Sequence, residues 1–356
     1  VIHVPEEKTG MKSPRNMKAA VLHAFNTLLM IESVGTPQIG PDEVLVRTMA
    51  CGMCATDLHL VEGMGYRPKL PHILGHEPVG VVAEIGENVM DLEPGDRVVP
   101  NILFTCGKCF FCRTGRESIC VDFPGPLGLG HNGGFAEYFK APARNLFKIP
   151  ETIGFPEAAP IGCAVVTAVH AVRRRAEVVA DETVLVIGTG GVGQNVMQVA
   201  HHAGANVIAL VRRDSRAEQA TRMGAHHVIN VSKVDLVDQI RRVTNGAMVD
   251  KVIDCIGTQE TIRHAVASLR HGGRIVMIGE TNDPIPLPTF RLAVDELEII
   301  GSRNGGRQDT VEAIQLMAQG KVKPFISDIF SLEQINTALD TLRQGKAMGR
   351  IVIRLD

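Results

Sequence analysis

The run Thr183-Val184-Leu185-Val186-Ile187-Gly188-Thr189-Gly190-Gly191-Val192-Gly193 places a continuous apolar stretch directly before a loop of the form G-x-G-x-x-G. Alone, that glycine spacing is weak. Here it follows a strand pattern and opens a helical stretch, Val192 to Ala203, which is the context a dinucleotide-binding turn requires. Glycines at Gly188, Gly190, Gly191 and Gly193 permit a tight turn and close backbone approach. The helix N-terminus then offers free N–H groups and a positive dipole end to a pyrophosphate. Downstream, Val207–Val211, Val249–Asp254, Arg274–Ile278 and Leu297–Ile300 read as further strands, with helical stretches such as Ser215–Met223 between them. Apolar strands alternating with helices predict an α/β fold, a doubly wound parallel sheet covered on both faces.

Upstream the texture differs. To about residue 150 the chain shows short strand patterns (Ala19–Leu22, Glu43–Arg47, Val79–Ile85) punctuated by Gly40-Pro41-Asp42 and Pro94-Gly95-Asp96. This predicts a β-rich first domain. Glu157 to Arg175 reads as one long helix, whose closing Arg173-Arg174-Arg175 is a solvated face meeting the helix dipole. Residues 309–356 read as two helices and a last strand, Arg350–Ile353. Residues 1–16 are polar and read as a mobile extension rather than a secretory signal.

The chain has 356 residues, 45% of them apolar, and a formal charge of −2. That length suits about two domains. The charge balance argues against nucleic-acid and membrane-surface partners, and no apolar run reaches membrane-spanning length. Closely spaced cysteines in a long chain read as metal ligands in a reducing compartment, with the cytoplasm as the default.

Four of the eight cysteines, Cys106, Cys109, Cys112 and Cys120, form C-x-x-C-x-x-C-x7-C. Thiolates at that spacing can wrap one tetrahedral ion, and a site closed by four protein ligands is structural. An iron–sulfur cluster and a disulfide pair are the competing readings, and nothing else in the chain suggests electron transfer. A second, open set draws on Cys51 or Cys54, on Gly75-His76-Glu77, and on Cys163. Spacing alone does not choose between Cys51 and Cys54, nor bring Cys163 to them. Cys255 reads as a small buried hydrophobe.

The residue that reads the adenosine ribose should stand at the end of the second strand. An NAD site would want Asp or Glu there; this chain has Arg212-Arg213, with Asp214 behind. Arginine pairs with a 2′-phosphate, so the reading favours NADP(H) over NAD(H). In the alternative, both arginines face solvent and Asp214 does the reading.

With these motifs in place, the chain closely resembles the zinc-dependent alcohol dehydrogenases of the medium-chain dehydrogenase/reductase family, from Met17 to the C-terminus. Gly75-His76-Glu77-x-x-Gly80-x5-Gly86-x-x-Val89 is that family's zinc motif in full. The resemblance implies a GroES-like β-rich catalytic domain over 17–163, with a structural-zinc lobe at about 104–122. It implies a Rossmann domain over 164–304 and a segment, 305–356, that returns to the catalytic domain. It selects Cys54, His76 and Cys163 as ligands of a catalytic zinc, making two zinc ions per chain with the structural one. It makes Thr56 the acceptor of the substrate's hydroxyl proton and His59 the outer end of a relay. Asp57 becomes the partner that orients His76, and Glu77 the carboxylate beside the metal. Thr167 and Val192 match positions against the nicotinamide, and Arg350 a cofactor phosphate contact. Ala55 departs from members with a basic residue there. The implied reaction is hydride transfer between an alcohol, giving an aldehyde or ketone, and a nicotinamide cofactor, in a homo-oligomer (tetramer or dimer). A polyol or sugar dehydrogenase of the same family, or a zinc and nucleotide binder without turnover, are the alternatives. Gly63–Leu70, Ile102 and Phe104 are expected to wall the substrate pocket.

Overall fold

The structure, a computed structural model, describes residues 13–281 and 284–355. Its centre is a six-stranded parallel sheet in the spatial order 227–230, 206–211, 183–187, 249–254, 269–277, 298–301. This is the doubly wound order, in which the sequence of strands reverses beside the strand that precedes the glycine loop. Ala209, Val186, Ile253 and Val276 stand side by side across it, and none is exposed. Strands buried on both faces explain the unbroken Val/Ile/Leu runs in the sequence.

The first half forms a seven-stranded sheet organised on Glu43–Met53, which pairs antiparallel with Glu77–Ile85 and Tyr138–Pro142. Its other neighbour comes from the far end of the chain: Arg350–Arg354 pairs antiparallel with it. A further strand, Ile326–Ser331, lies parallel to Arg350–Arg354 at the sheet's edge. The sequence reading omits that strand because its mixed Ile-Ser-Asp-Ile-Phe-Ser pattern lacks a clean period of two.

The predicted helix over Glu157–Arg175 is not one helix. Phe155–Ala158 is α-helical, Ala159–Gly162 tightens to a 3₁₀ turn, Cys163 leaves helical geometry, and Ala164–Val169 starts afresh. Pro160 lacks the N–H that a continuous helix needs and crowds the carbonyl of the turn before it. Gly162 is pressed so closely onto the main chain that a Cβ there would lie 2.7 Å from the Pro100 carbonyl oxygen. Arg173-Arg174-Arg175 also departs from the solvated reading. Arg173 and Arg174 pair with Glu312, Arg174 also with Asp309, and Arg175 donates to the Gly301 carbonyl. The triplet clamps helix Arg307–Ala318 to the cofactor half.

Of the proposed N-terminal extension, residues 1–12 lie outside the described residues. Residues 13–16 are held: Ser13 N donates to Glu84 Oε1 at 2.9 Å, Arg15 accepts from Thr36 N, and Asn16 opens the first strand. Among the described residues, no single helix is long and apolar enough to cross a membrane. The bent pair 155–162 and 164–175 has the composition, but its apolar side chains fill the protein's own core.

Candidate active site

Cys54 ends the central strand and opens the short helix Ala55–Val61. Its sulfur accepts from Thr56 N at 3.3 Å, while Asp57 Oδ2 accepts from Cys54 N at 2.9 Å. This reciprocal cap satisfies otherwise orphaned N–H groups and fixes Cys54 relative to Asp57. The other oxygen of Asp57, fully buried, reaches the second segment: Oδ1 accepts from Gly75 N at 3.3 Å and His76 Nδ1 at 3.2 Å. With Nδ1 so occupied, His76 turns Nε2 to Cys54 Sγ, 3.2 Å away. One carboxylate therefore sets both the cysteine and the histidine.

Cys163 arrives from the helix break. The ligand atoms of Cys54, His76, Glu77 and Cys163 all lie within 4.8 Å of one another. The structure thus chooses Cys54; Cys51 points its sulfur to its neighbour's carbonyl, and burial pushes its thiol well up. Cys54 is held well below the usual thiol range by the hydrogen bond from Cys163 and, against burial, by His76. The same bond and burial push Cys163 well up. Burial would lower His76, but Asp57 and Cys54 outweigh it and raise the imidazole well above its ordinary value.

Glu77 is fully buried and lies with Cys54, His76 and Cys163, where the sequence reading expects it. Burial raises its carboxyl to about 7, with Arg350 opposing. Arg350 Nη2 lies 3.1 Å from Glu77 Oε1, yet neither carboxylate oxygen makes a hydrogen bond among the described residues. Gly52 explains the space: a Cβ there would meet Glu77 Oε2 at 2.1 Å. Two thiols, an imidazole and a carboxylate with free lone pairs are a donor set that fits zinc.

The four-cysteine lobe fits a second ion. Sulfurs of Cys106 and Cys112 are 3.9 Å apart, as are those of Cys109 and Cys120. A tetrahedron with zinc–sulfur bonds of about 2.3 Å has edges of roughly 3.8 Å. Backbone N–H groups of Cys112 and Val121 lower Cys109 to about 6, while burial raises Cys112 to about 12. Fully filled by protein sulfur, this site leaves no position for a substrate.

The glycine loop lies beside the open site. Gly188 has φ +92, and a Cβ on Gly193 would fall 1.8 Å from the Gly188 carbonyl oxygen, so the third glycine is sterically obligatory. Arg350, buried, fills the space above Gly191, where a Cβ would lie 2.9 Å from its guanidinium carbon. Its Nε and Nη2 are buried without hydrogen-bond partners among the described residues. Unsatisfied guanidinium donors beside a glycine loop fit a phosphate. Thr167 is buried on helix Ala164–Val169, one turn beyond Cys163, and Val192 is half-buried at the loop's end.

Other predicted residues lie further out. His59 is exposed, one turn along from Thr56 on the same helix face. Arg212 follows strand Asn206–Val211 and pairs with Glu260. Arg213 is exposed, and Asp214 is engaged by Lys233 and Asn230. Ile102 abuts Gly162, as a pocket wall should. Phe104 stacks near His131, with ring centroids 5.2 Å apart, and lines a cavity of about 470 Å³ with Met17, Glu43 and Tyr138. None of the metal-site residues borders that cavity. Sequence reading also missed Glu260, because an acid on a later helix carries no local signal of its partner.

Comparison with known proteins agrees with this geometry. Residues 40–151 match the family model of the alcohol dehydrogenase GroES-like domain, and residues 191–319 that of the zinc-binding dehydrogenases. An alcohol dehydrogenase of Geobacillus stearothermophilus is 39% identical over 96% of this chain and 100% of its own length. The NAD-dependent alcohol dehydrogenase of Sulfolobus acidocaldarius is 35% identical over 95% and 100%. Among solved structures, AibC superposes with a TM-score of 0.92 at 34% identity, covering 100% of both chains. The chain therefore belongs to the zinc-dependent alcohol dehydrogenases of the medium-chain dehydrogenase/reductase family, and its reaction is zinc-dependent alcohol oxidoreduction.

Proposed function

We propose that Cys54, His76 and Cys163 hold a catalytic zinc, that Cys106, Cys109, Cys112 and Cys120 hold a structural one, and that the enzyme interconverts a small alcohol and its aldehyde or ketone with NADP(H) in preference to NAD(H). The observation that carries the catalytic part is the convergence of four buried or half-buried donor residues beside a glycine loop. When bound, zinc supplies Lewis acidity at the substrate oxygen and lowers the pKa of the alcohol.

The chain's own residues do the rest. Asp57 fixes the ring of His76 and, through the cap, the sulfur of Cys54; such outer partners typically matter about 10- to 100-fold. Thr56 sits half-buried two residues beyond Cys54 and takes the hydroxyl proton. His59, exposed on the same helix face, passes it towards water. Glu77 lends a carboxylate at the metal or withdraws to Arg350. Arg350 turns its free donors to the cofactor phosphates over Gly191. Thr167 and Val192 hold the nicotinamide face, and Gly63–Leu70, with exposed Met64 and Tyr66, forms the pocket's outer lip. Replacing Thr56 with valine keeps the shape and removes the hydroxyl. We expect kcat to fall about 10²- to 10⁴-fold, the usual worth of a positioned proton acceptor. Single-turnover rates equal to wild type would remove Thr56 from the mechanism.

The cofactor preference rests on Arg212 and Arg213. The Arg212–Glu260 pair is exposed and so is worth at most about 1 kcal/mol, which a 2′-phosphate can displace. Asp214 pairs with Lys233, and that pair is as exposed as Arg212–Glu260, so the preference rests on the arginines' charge match to a 2′-phosphate. The Sulfolobus relative is named as NAD-dependent; the NADP reading rests on Arg212 and Arg213 of this chain. Arg212→Asp should shift the NADP/NAD ratio of kcat/KM by roughly 10- to 100-fold towards NAD, the loss of one charge-assisted contact plus a new repulsion. A wild-type enzyme that prefers NAD, or an unchanged ratio in the variant, would reject the NADP assignment.

A further inference from the structure

We infer that Glu117 is a positioning residue for the active site: it carries the placement of the four-cysteine lobe, through the loop at 303–307, to the backbone that presents Cys163. The inference rests on Cys163 being a ligand of the open site.

Glu117 stands in the short turn Glu117–Ile119, between Cys112 and Cys120, and its carbonyl accepts from Cys120 N. It is only 6% exposed, which is unusual for a carboxylate. Both its oxygens leave the lobe. Oε1 accepts from Arg307 Nε at 2.7 Å, and Oε2 from Arg307 N at 2.9 Å, at the start of helix Arg307–Ala318. Arg303 adds a second contact, its guanidinium 4.9 Å from the ring centre of Phe123.

The loop so gripped reaches the catalytic side. Asn304, at φ +40, donates from Nδ2 to the Gly162 carbonyl at 3.2 Å and accepts from Gly305 N at 2.8 Å. Buried Asn101 donates to the Gly305 carbonyl at 3.1 Å and to Thr310 Oγ1 at 2.8 Å. Gly162 is bonded to Cys163, and Asn101 to the pocket residue Ile102. The two segments that meet this loop are therefore the one that brings the third ligand and the one that walls the substrate.

The break in the helix gives these contacts their leverage. Cys163 has φ −125 and ψ −76, outside the repeat that would otherwise dictate its position. Its main chain is bonded to Pro160 and Thr167, and Gly162 before it is held by Asn304 and packed against the Pro100 carbonyl, so the loop at 303–307 bears on where Cys163 lies. The Glu117 side chain is buried and that of Arg307 part-exposed, so the pair adds little net stability, and the use inferred for it is positional. Glu117 with Arg307 fits that use, because both carboxylate oxygens bind one residue at the start of the next helix. Misplacing a reacting group by about 1 Å costs on the order of 10²-fold in rate.

The test uses the full-length enzyme with zinc in the four-cysteine site and cobalt in the open site. We expect Glu117→Ala to shift the cobalt–thiolate absorption bands and to lower kcat about 10- to 100-fold, with KM little changed and two metals per chain retained. Glu117→Gln, which keeps an acceptor for Arg307 N, should recover most of both. Bands and kcat at wild-type values in Glu117→Ala would overturn the inference, whatever the change in Tm. If Glu117→Ala does not accumulate as folded protein, Asn304→Ala interrupts the same path at its other end, and wild-type bands there overturn it equally. Absence of cobalt–thiolate bands in the parent enzyme would overturn the inference through the ligand assignment beneath it.

Discussion

Replacing Cys54 with alanine should lower kcat for alcohol oxidation by roughly 10³-fold or more, with the protein still folded. The size follows from the chemistry lost: Lewis-acid stabilisation is worth several kcal/mol, and each 1.36 kcal/mol is tenfold in rate. The same substitution removes a helix cap, since Cys54 Sγ accepts from Thr56 N at the start of Ala55–Val61. A lost cap costs about 1 kcal/mol, which in a protein of this size moves Tm by only a few degrees. His76 stays oriented by Asp57, so the remaining donors keep their places while the metal loses one of its sulfurs. Turnover at the wild-type rate in Cys54→Ala, measured with saturating cofactor, would show that the buried donor cluster is not the catalytic centre.

Replacing Cys109 with alanine should act in the opposite order, on stability before chemistry. The lobe has little regular structure of its own: one turn of helix at Phe110–Arg113 and the turn at Glu117–Ile119. Phe110 is 65% exposed and Val121 73%, so the segment cannot support itself by burial. On the proposed assignment, four thiolates on one ion would close it. Losing that closure should cost several kcal/mol and lower Tm by roughly 10 °C. It should also open the lobe to proteolysis, while turnover at low temperature falls less than in Cys54→Ala. A Cys109→Ala protein with wild-type Tm and two bound zinc ions would contradict the structural role.

Much of this site was legible in the sequence because its chemistry is local. Gly188 to Gly193 form one short loop, and Cys106 to Cys120 bring four sulfurs together within fifteen positions. Cys54, Asp57 and His76 were reached through the family resemblance, since spacing alone left Cys51 and Cys54 open. The parallel sheet was readable for a similar reason, since a strand buried on both faces can hold little but Val, Ile, Leu and Ala.

What was not legible depends on contacts between distant segments. The break at Cys163 comes from Pro160 together with the pressure of Pro100 on Gly162, and the latter has no trace near residue 163. Arg173 and Arg174 looked solvated because Asp309 and Glu312, their partners, lie some 140 positions away. Arg212 looked free for a phosphate because Glu260 is set on another helix. Glu77 was expected beside the metal, but the room made for its carboxylate by Gly52, on the neighbouring strand, had no sign in its own segment.

The central claim is that two zinc ions divide the work, one in each cysteine site. It is tested most directly by counting zinc per chain, by native mass spectrometry, in the wild type and in Cys54→Ala, with alcohol turnover measured on the same samples. The account predicts two zinc ions and full turnover in the wild type, and one zinc ion with turnover reduced by roughly 10³-fold in the variant. Two zinc ions in Cys54→Ala, or wild-type turnover with one, would contradict it.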